Sequence, residues 1–180
     1  MSEVREIRPK DTSINDKQLI VGLIPCQNRY FLDIIWPVIK PGLDSLCEQS
    51  MGELTAYEVW RDVFHGKQHL YLLYSDDSGM PVDEFRFQEV FLDKMKSPRK
   101  GFVAFGLMSF LPHTALITIA HIEPEYRGTV VFQKAYDFLE REAKKMNAPY
   151  LSAATPYPPL EEKLKKAGYT AVYTVYRKKL

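Results

Sequence analysis

The stretch HIEPEYRGTVVFQKAYDFLERE, residues 121–142, decides how the rest of the chain reads. It begins as the end of a strand, turns at Arg127 and Gly128, and continues as a helix. Val131, Ala135, Phe138, Leu139, Glu142 and Met146 recur at helical spacing, and Lys144, Lys145 and Asn147 close the run. The first turn of such a helix has free N–H groups and a partial positive charge, so it can hold a phosphate without any side chain. Arg127 adds a fixed cation, and Gly128 lets backbone approach closely. Val130 and Phe132 put bulk where a phosphate loop is usually bare. The Phe132 ring has two places to go, the phosphate space or the face of the sheet.

Outward from this stretch, the second half of the chain alternates strands with helices. Two strands are expected at about 101–110 and 115–122, joined by LPHT. Their apolar runs are nearly continuous, as in strands covered on both faces. Residues 149–154 read as a further strand, followed by the turn TPYPP. A short helix over 160–167, closed by Gly168, and a last strand, TAVYTVYRKK, complete this half. Upstream, LIVGLI (residues 19–24) reads as a first strand. Residues 28–46 have a helical apolar pattern broken by Pro37 and Pro41, which predicts two short pieces or a kink. Thr55 and Glu58 form a capping box for a helix ended by Gly66, and residues 69–74 read as a strand. The pattern is α/β layering, with one mixed sheet and helices on both faces.

Length and composition fit a single domain over residues 1–180. Residues 1–18 read as an extended polar lead-in and 80–100 as an insertion carrying a short aromatic helix. With 46% hydrophobic and 26% charged residues, the chain has the makeup of a soluble globular protein that needs no disulfide or metal. The formal net charge of +1 gives no argument for nucleic acid or for an anionic membrane. Cys26 and Cys47 read as buried thiols of a reducing compartment. The N-terminus lacks an apolar signal segment, and no apolar run is long enough to span a bilayer, so a cytoplasmic protein is expected. His65 and His69 have helical ligand spacing, but Gly66 lies between them and no third ligand follows, so no metal is expected. Dense tyrosine and phenylalanine read as core and edge packing rather than base stacking.

The run Ile122, Glu123, Pro124, Glu125, Tyr126, Arg127, Gly128, then an apolar helix, resembles the cofactor loop of the GCN5-related N-acetyltransferases (GNAT). That loop reads roughly V-x-P-x-x-R-G-x-G-x-G/A. Ala167, Gly168 and Tyr169 are similar to the family's Leu-Gly-Phe, and the element order of residues 100–178 is the family's. The whole has the look of divergent members encoded by tailed phages. The resemblance implies a single-domain acyl-CoA N-acyltransferase fold with a central twisted, splayed sheet flanked by helices. It implies acetyl-CoA as co-substrate, lying where one strand splays from its neighbour, and direct transfer of the acetyl group to an amine. Carried over residue by residue, Ile122 and Glu123 offer backbone to the pantetheine arm. Arg127, Gly128, Thr129, Val130, Val131 and Phe132 face the phosphates. The acceptor is a small-molecule or protein amine. Phe85, Phe87 and Phe91 of the 80–100 segment read first as a cap on the core; the alternatives are a surface for a homo-oligomer or protein partner and a lid over the acceptor site.

Departures from the family pattern mark the catalytic candidates. The small residues that would follow Gly128 are replaced by Val130 and Phe132. The position of the family's tyrosine acid is Leu164, which cannot donate a proton, leaving nearby Tyr157 as substitute. A Glu base on the splayed strand is absent, leaving Thr118 and His121. A neutral imidazole at His121 can act as base near neutral pH, or serve as a hydrogen-bonded residue of the sheet. The chain also stops about a dozen residues after Gly168, short of the family's last hairpin. These departures support an alternative reading, a catalytically degenerate GNAT-fold binding or structural module, as a virion component or a host-protein inhibitor. Of the lysine runs, Lys144 with Lys145 and Lys163 with Lys165 and Lys166, the default is a solvated helix face. In the cofactor reading, one of them meets the 3′-phosphate.

Overall fold

Four strands that alternate in direction carry the molecule's core between two layers of helix. The computed structural model describes residues 19–24, 29–49, 54–75, 93, 95–153 and 158–172. Strands β1 (Leu19–Ile24), β2 (His69–Ser75), β3 (Phe102–Leu111) and β4 (Thr114–Ile122) pair antiparallel in sequence order. β5 (Leu151–Ala153) joins the far edge parallel to β4. Parallel pairing needs a crossover between β4 and β5, and helix α3 (Val131–Lys145) supplies it. The remaining helices are α1 (Arg29–Gln49), α2 (Ala56–Phe64) and α4 (Pro158–Lys166).

Each face of the sheet has its own core. On one face, Leu32, Ile35, Ile39 and Leu43 of α1 and Val59 and Val63 of α2 meet Leu70, Leu72 and Tyr74 of β2 and Phe105, Leu107 and Ile119. On the other, Tyr136, Leu139 and Ala143 of α3 and Leu164 of α4 meet Tyr71, Met108, Ala115 and Ile117. This is why β2 and β3 are apolar at nearly every position: both of their faces are covered.

The capping box is present: Thr55 Oγ1 accepts from the Glu58 amide at 3.2 Å, and Glu58 Oε2 accepts from the Thr55 amide at 3.1 Å. Gly66, at φ 70°, follows the end of α2.

The expected break at Pro37 and Pro41 does not occur. α1 runs unbroken through both. Each proline removes a helical hydrogen bond, but the stripe from Leu32 to Leu43 is fully buried on the sheet, and that burial outweighs the loss. In the turn ahead of Pro41, Arg99 Nη1 donates to the Val38 carbonyl at 3.1 Å.

Other boundaries move by small amounts. The strand expected at 149–154 is Leu151–Ala153, and the last helix is Pro158–Lys166. Residues 170–172 form no strand, and residues 173–180 of the expected last strand lie outside the described residues. So do the polar lead-in, Cys26, most of the 80–100 segment and Tyr157. Among the described residues no helix is long and apolar enough to cross a membrane, and no group of His, Cys, Asp and Glu is arranged to hold a metal ion.

Candidate functional site

The site is built by one irregularity in β4. Leu107 pairs with Ile119 and Met108 with Ile117, so Thr118 is an extra residue in the ladder. Its hydroxyl donates to the Leu107 carbonyl at 3.2 Å. A bulge bends its strand and changes which face each following side chain meets. Before the bulge, Ala115 and Ile117 join the α3 core; after it, Ile119 joins the α1 core.

The bulge also coincides with the end of the β5 pairing. Ala115, Leu116 and Ile117 pair with Leu151, Ser152 and Ala153, and the pairing stops there. Residues 118–122 of β4 continue without a described neighbour on that edge. The Glu123 amide donates to the Val103 carbonyl at 2.9 Å, so Glu123 faces β3. By antiparallel alternation, the polar groups of Ile122 and Ala120 face the opposite edge, which has no neighbour among the described residues. The described pairing of β4 with β5 therefore ends at Ile117, five residues before the start of the sequence motif at Ile122.

Beyond Ile122 the chain makes a tight 3₁₀ turn, Pro124–Tyr126. The Tyr126 amide closes it on the Glu123 carbonyl at 3.0 Å. Arg127 Nε donates back to the Ile122 carbonyl at 2.9 Å, clamping the loop to the end of β4. Gly128 follows at φ 83°, and a Cβ built there would meet nothing within 4 Å. Its need for glycine is conformational, and the space above it is open. Thr129 braces the helix start: its hydroxyl donates to the Tyr126 carbonyl at 2.6 Å and accepts from the Val131 amide at 3.3 Å. The amides of Gly128, Val130, Phe132 and Gln133 are left without an acceptor among the described residues. Unpaired amides at a helix N-terminus, beside an arginine, form an anion-binding concavity.

The two bulky positions divide. Val130, 47% exposed, is the N-cap residue of α3 in helical conformation, and its side chain belongs to none of the core clusters. The Phe132 ring takes the inward of its two routes. It packs on Tyr136, with ring centroids 4.5 Å apart, and borders the α3 core. Val131 is fully buried beside Ile122 and Tyr126, which ties the start of α3 to the end of β4.

His121 lies on the other face. The bulge turns it under α1, where its side chain is 9% exposed. Its ring stacks on Phe105 with centroids 5.3 Å apart, and its other side presses on α1 at Gly42. A Cβ at Gly42 would stand 2.7 Å from His121 Nε2. Glu123 Oε1 is 4.0 Å from the imidazole and 3.5 Å from Arg99 Nη1. Burial first, then the charges of Arg127 and Arg99, lower the His121 pKa to about 4. At neutral pH the imidazole is uncharged, and its hold on a proton is too weak for it to work well as a general base. The expectation of His121 as base therefore meets a side chain packed as part of the sheet.

Leu164 is a core residue of the α3 face, as its chemistry requires. Tyr136 beside it has a phenol pushed up to about 12 by burial. The Tyr169 phenol is raised as well, by burial and then by Tyr136 and Glu140. Sequence reading missed Gly42 and Arg99. A glycine inside an apolar helical stripe was the available signal for close approach at Gly42; nothing in the sequence links Arg99 to α1.

No protein-family model matches the chain, and no curated protein matches it in sequence. Solved structures do match. The ribosomal-protein-alanine N-acetyltransferase of Brucella melitensis biovar Abortus superposes at a TM-score of 0.56, with 14% identity over 90% of this chain and 99% of that one. The predicted acetyltransferase of Clostridium acetobutylicum, in a crystal structure with acetyl-CoA, gives 0.53 and 12% identity over 89% and 96%. An aminoglycoside N-acetyltransferase, AAC(6')-Iy, in complex with CoA, gives 0.54 and 11% identity over 92% and 98%. At these identities the likeness is one of fold: a mixed sheet flanked by helices, as in the acetyltransferases.

Proposed function

We propose that this chain is an acetyl-CoA-dependent N-acetyltransferase acting on a small-molecule or protein amine. One observation carries the reading. In a fold shared with acetyltransferases, the amides of Gly128, Val130, Phe132 and Gln133 have no acceptor among the described residues, and they follow the stretch of β4, residues 118–122, that has no described β5 partner. Those amides and the free N–H groups of Arg127 take the pyrophosphate. Thr129 and Val131 fix the loop from below, through a hydrogen bond and through burial. The edge of β4 at Ile122, with Glu123 next to it, offers backbone to the pantetheine arm, which brings the thioester alongside that stretch.

The reaction is direct. The amine nitrogen attacks the thioester carbonyl carbon, a C–N bond forms, the C–S bond breaks, and the nitrogen's proton is lost as the CoA thiolate gains one. With the His121 pKa near 4, the acceptor enters as the free amine after losing its ammonium proton to water. Tyr157 remains the proton donor in this proposal. Holding amine and thioester in contact, out of water, supplies most of the rate.

A second reading keeps the fold without the chemistry, as a binding module of a virion or an inhibitor of a host protein. It is favoured by Leu164, a buried hydrocarbon side chain that puts no proton donor at the position of the expected acid.

The test is thermal unfolding with acetyl-CoA, followed by a thiol-release assay over an amine panel. Ligand at about 100 times its dissociation constant stabilises by ~2.7 kcal/mol. A shift of that size with CoA release establishes the enzyme, a shift without release favours the binding module, and no shift overturns the cofactor reading. Phe132→Ala sharpens it. With the ring packed on Tyr136, the variant should lose about 2 kcal/mol of stability and bind acetyl-CoA no more tightly than the parent. A gain in affinity would mean that the ring obstructs the loop.

A further inference from the structure

We infer that Lys163 is a phosphate ligand of the proposed cofactor, parked on the ring of Phe132 until the phosphate arrives. The inference rests on the cofactor reading above and adds a residue from a different element. The lysines at the helix faces differ in their surroundings. Lys144 pairs with Glu140 at 2.6 Å and Lys145 with Glu142 at 2.7 Å, both at the end of α3 away from the loop. Lys165 pairs with Glu161 at 2.7 Å. Lys163 has no carboxylate partner among the described residues, and its Nζ stands 5.0 Å from the centroid of the Phe132 ring.

Phe132 is the second residue of α3, and its own amide is one of those left without an acceptor. The ring therefore does two things at once. Its inner side packs on Tyr136 and anchors the helix, and it also holds an ammonium from α4 beside the loop. An exposed ammonium gains less from a ring than from a charge-assisted hydrogen bond to a phosphate oxygen. When an oxyanion occupies the loop, the shift of Nζ from ring to phosphate is favourable. On this view the bulky residue at 132, which departs from the expected small one, positions a cation instead of closing the site.

The cofactor has two sources of phosphate, the pyrophosphate and the 3′-phosphate, and the experiment separates them. Binding of CoA and of 3′-dephospho-CoA is measured by calorimetry for the parent chain, Lys163→Met and Lys166→Met. Methionine keeps the alkyl chain against Phe132 and removes only the charge. Lys163→Met should weaken CoA binding roughly tenfold, and Lys166→Met by less than about twofold. If the loss persists with 3′-dephospho-CoA, Lys163 serves the pyrophosphate; if it vanishes, Lys163 serves the 3′-phosphate. Equal losses in the two variants, or parental affinity in Lys163→Met, overturn the inference and leave the cofactor reading standing. Failure of the parent chain to bind either nucleotide overturns both.

Discussion

His121 and Ile122 are neighbours in the chain and face different surroundings. The His121 ring is clamped between Phe105 and Gly42, and its charge is suppressed. Ile122 opens on a loop whose amides lack acceptors. Strand alternation sends the two to opposite faces, and a single extra residue, Thr118, decides which face each one meets. Without the bulge, His121 would continue the row of Ala115 and Ile117 on the α3 face. One side of the strand end is packed for stability and the other is left polar and open. The comparison teaches that residues with catalytic chemistry and residues with binding geometry need not coincide, even one position apart.

The largest expected effect tests the packed side. The His121 pKa is about 4 in the fold against 6.5 when exposed. A group with a depressed folded pKa binds more protons unfolded in this window. Its contribution to stability is therefore fully present above pH 6.5 and is lost as pH falls from there through about 4. The shift corresponds to about 3 kcal/mol. Urea unfolding across this range should show a loss about that much smaller in His121→Gln than in the parent. Parallel curves for the two proteins would mean that His121 titrates as an exposed imidazole and that the packed side is open.

A smaller effect tests what holds His121 there. A helical glycine replaced by alanine usually gains about 1 kcal/mol. At Gly42 the new Cβ would meet three atoms of the imidazole at 2.7 to 2.8 Å. The ring cannot swing away, because Phe105 backs it. Overpacking of this kind costs about 1–3 kcal/mol, so Gly42→Ala should be net destabilising by roughly 1 kcal/mol. In the His121→Ala background the sign should reverse, since only the propensity gain remains. An unchanged sign in the double mutant would break the proposed contact between α1 and β4.

How much of this was legible beforehand follows from the kind of interaction involved. Local signals carried well. The Thr55 and Glu58 box, the strands expected at 19–24, 69–74, 101–110 and 115–122, and the Arg127-Gly128 turn are short-range, and each appears within a residue or two of where the sequence places it. The loop could be read from Ile122 to Gly128, because a helix start with a glycine turn is written in adjacent residues. Two things were not legible. The bulge at Thr118 lies in a run, TALITIAHI, apolar enough on both faces that no alternation betrays a change of face. Pro37 and Pro41 looked decisive locally, but the burial of α1 is a tertiary term that local rules do not contain. The fate of His121 depended on both, and so its role was the least readable of the site's.

The smallest effect returns to the open side and completes the contrast between two glycines. Gly42 is required by space and Gly128 by backbone. At Gly128 the φ of 83° lies in the left-handed region, yet a Cβ would touch nothing within 4 Å. Gly128→Ala should therefore cost only the conformational penalty, about 1 kcal/mol, and truncating a neighbour should not relieve it. Gly128→Asn should cost less than Gly128→Ala, because asparagine tolerates the left-handed region. If instead His121→Ala or Phe132→Ala rescued Gly128→Ala, a side chain would be filling the loop and the distinction between the two sides would fail. If the penalty is conformational alone, the space above Gly128 is empty in solution, and the amides around it are free to meet an anion.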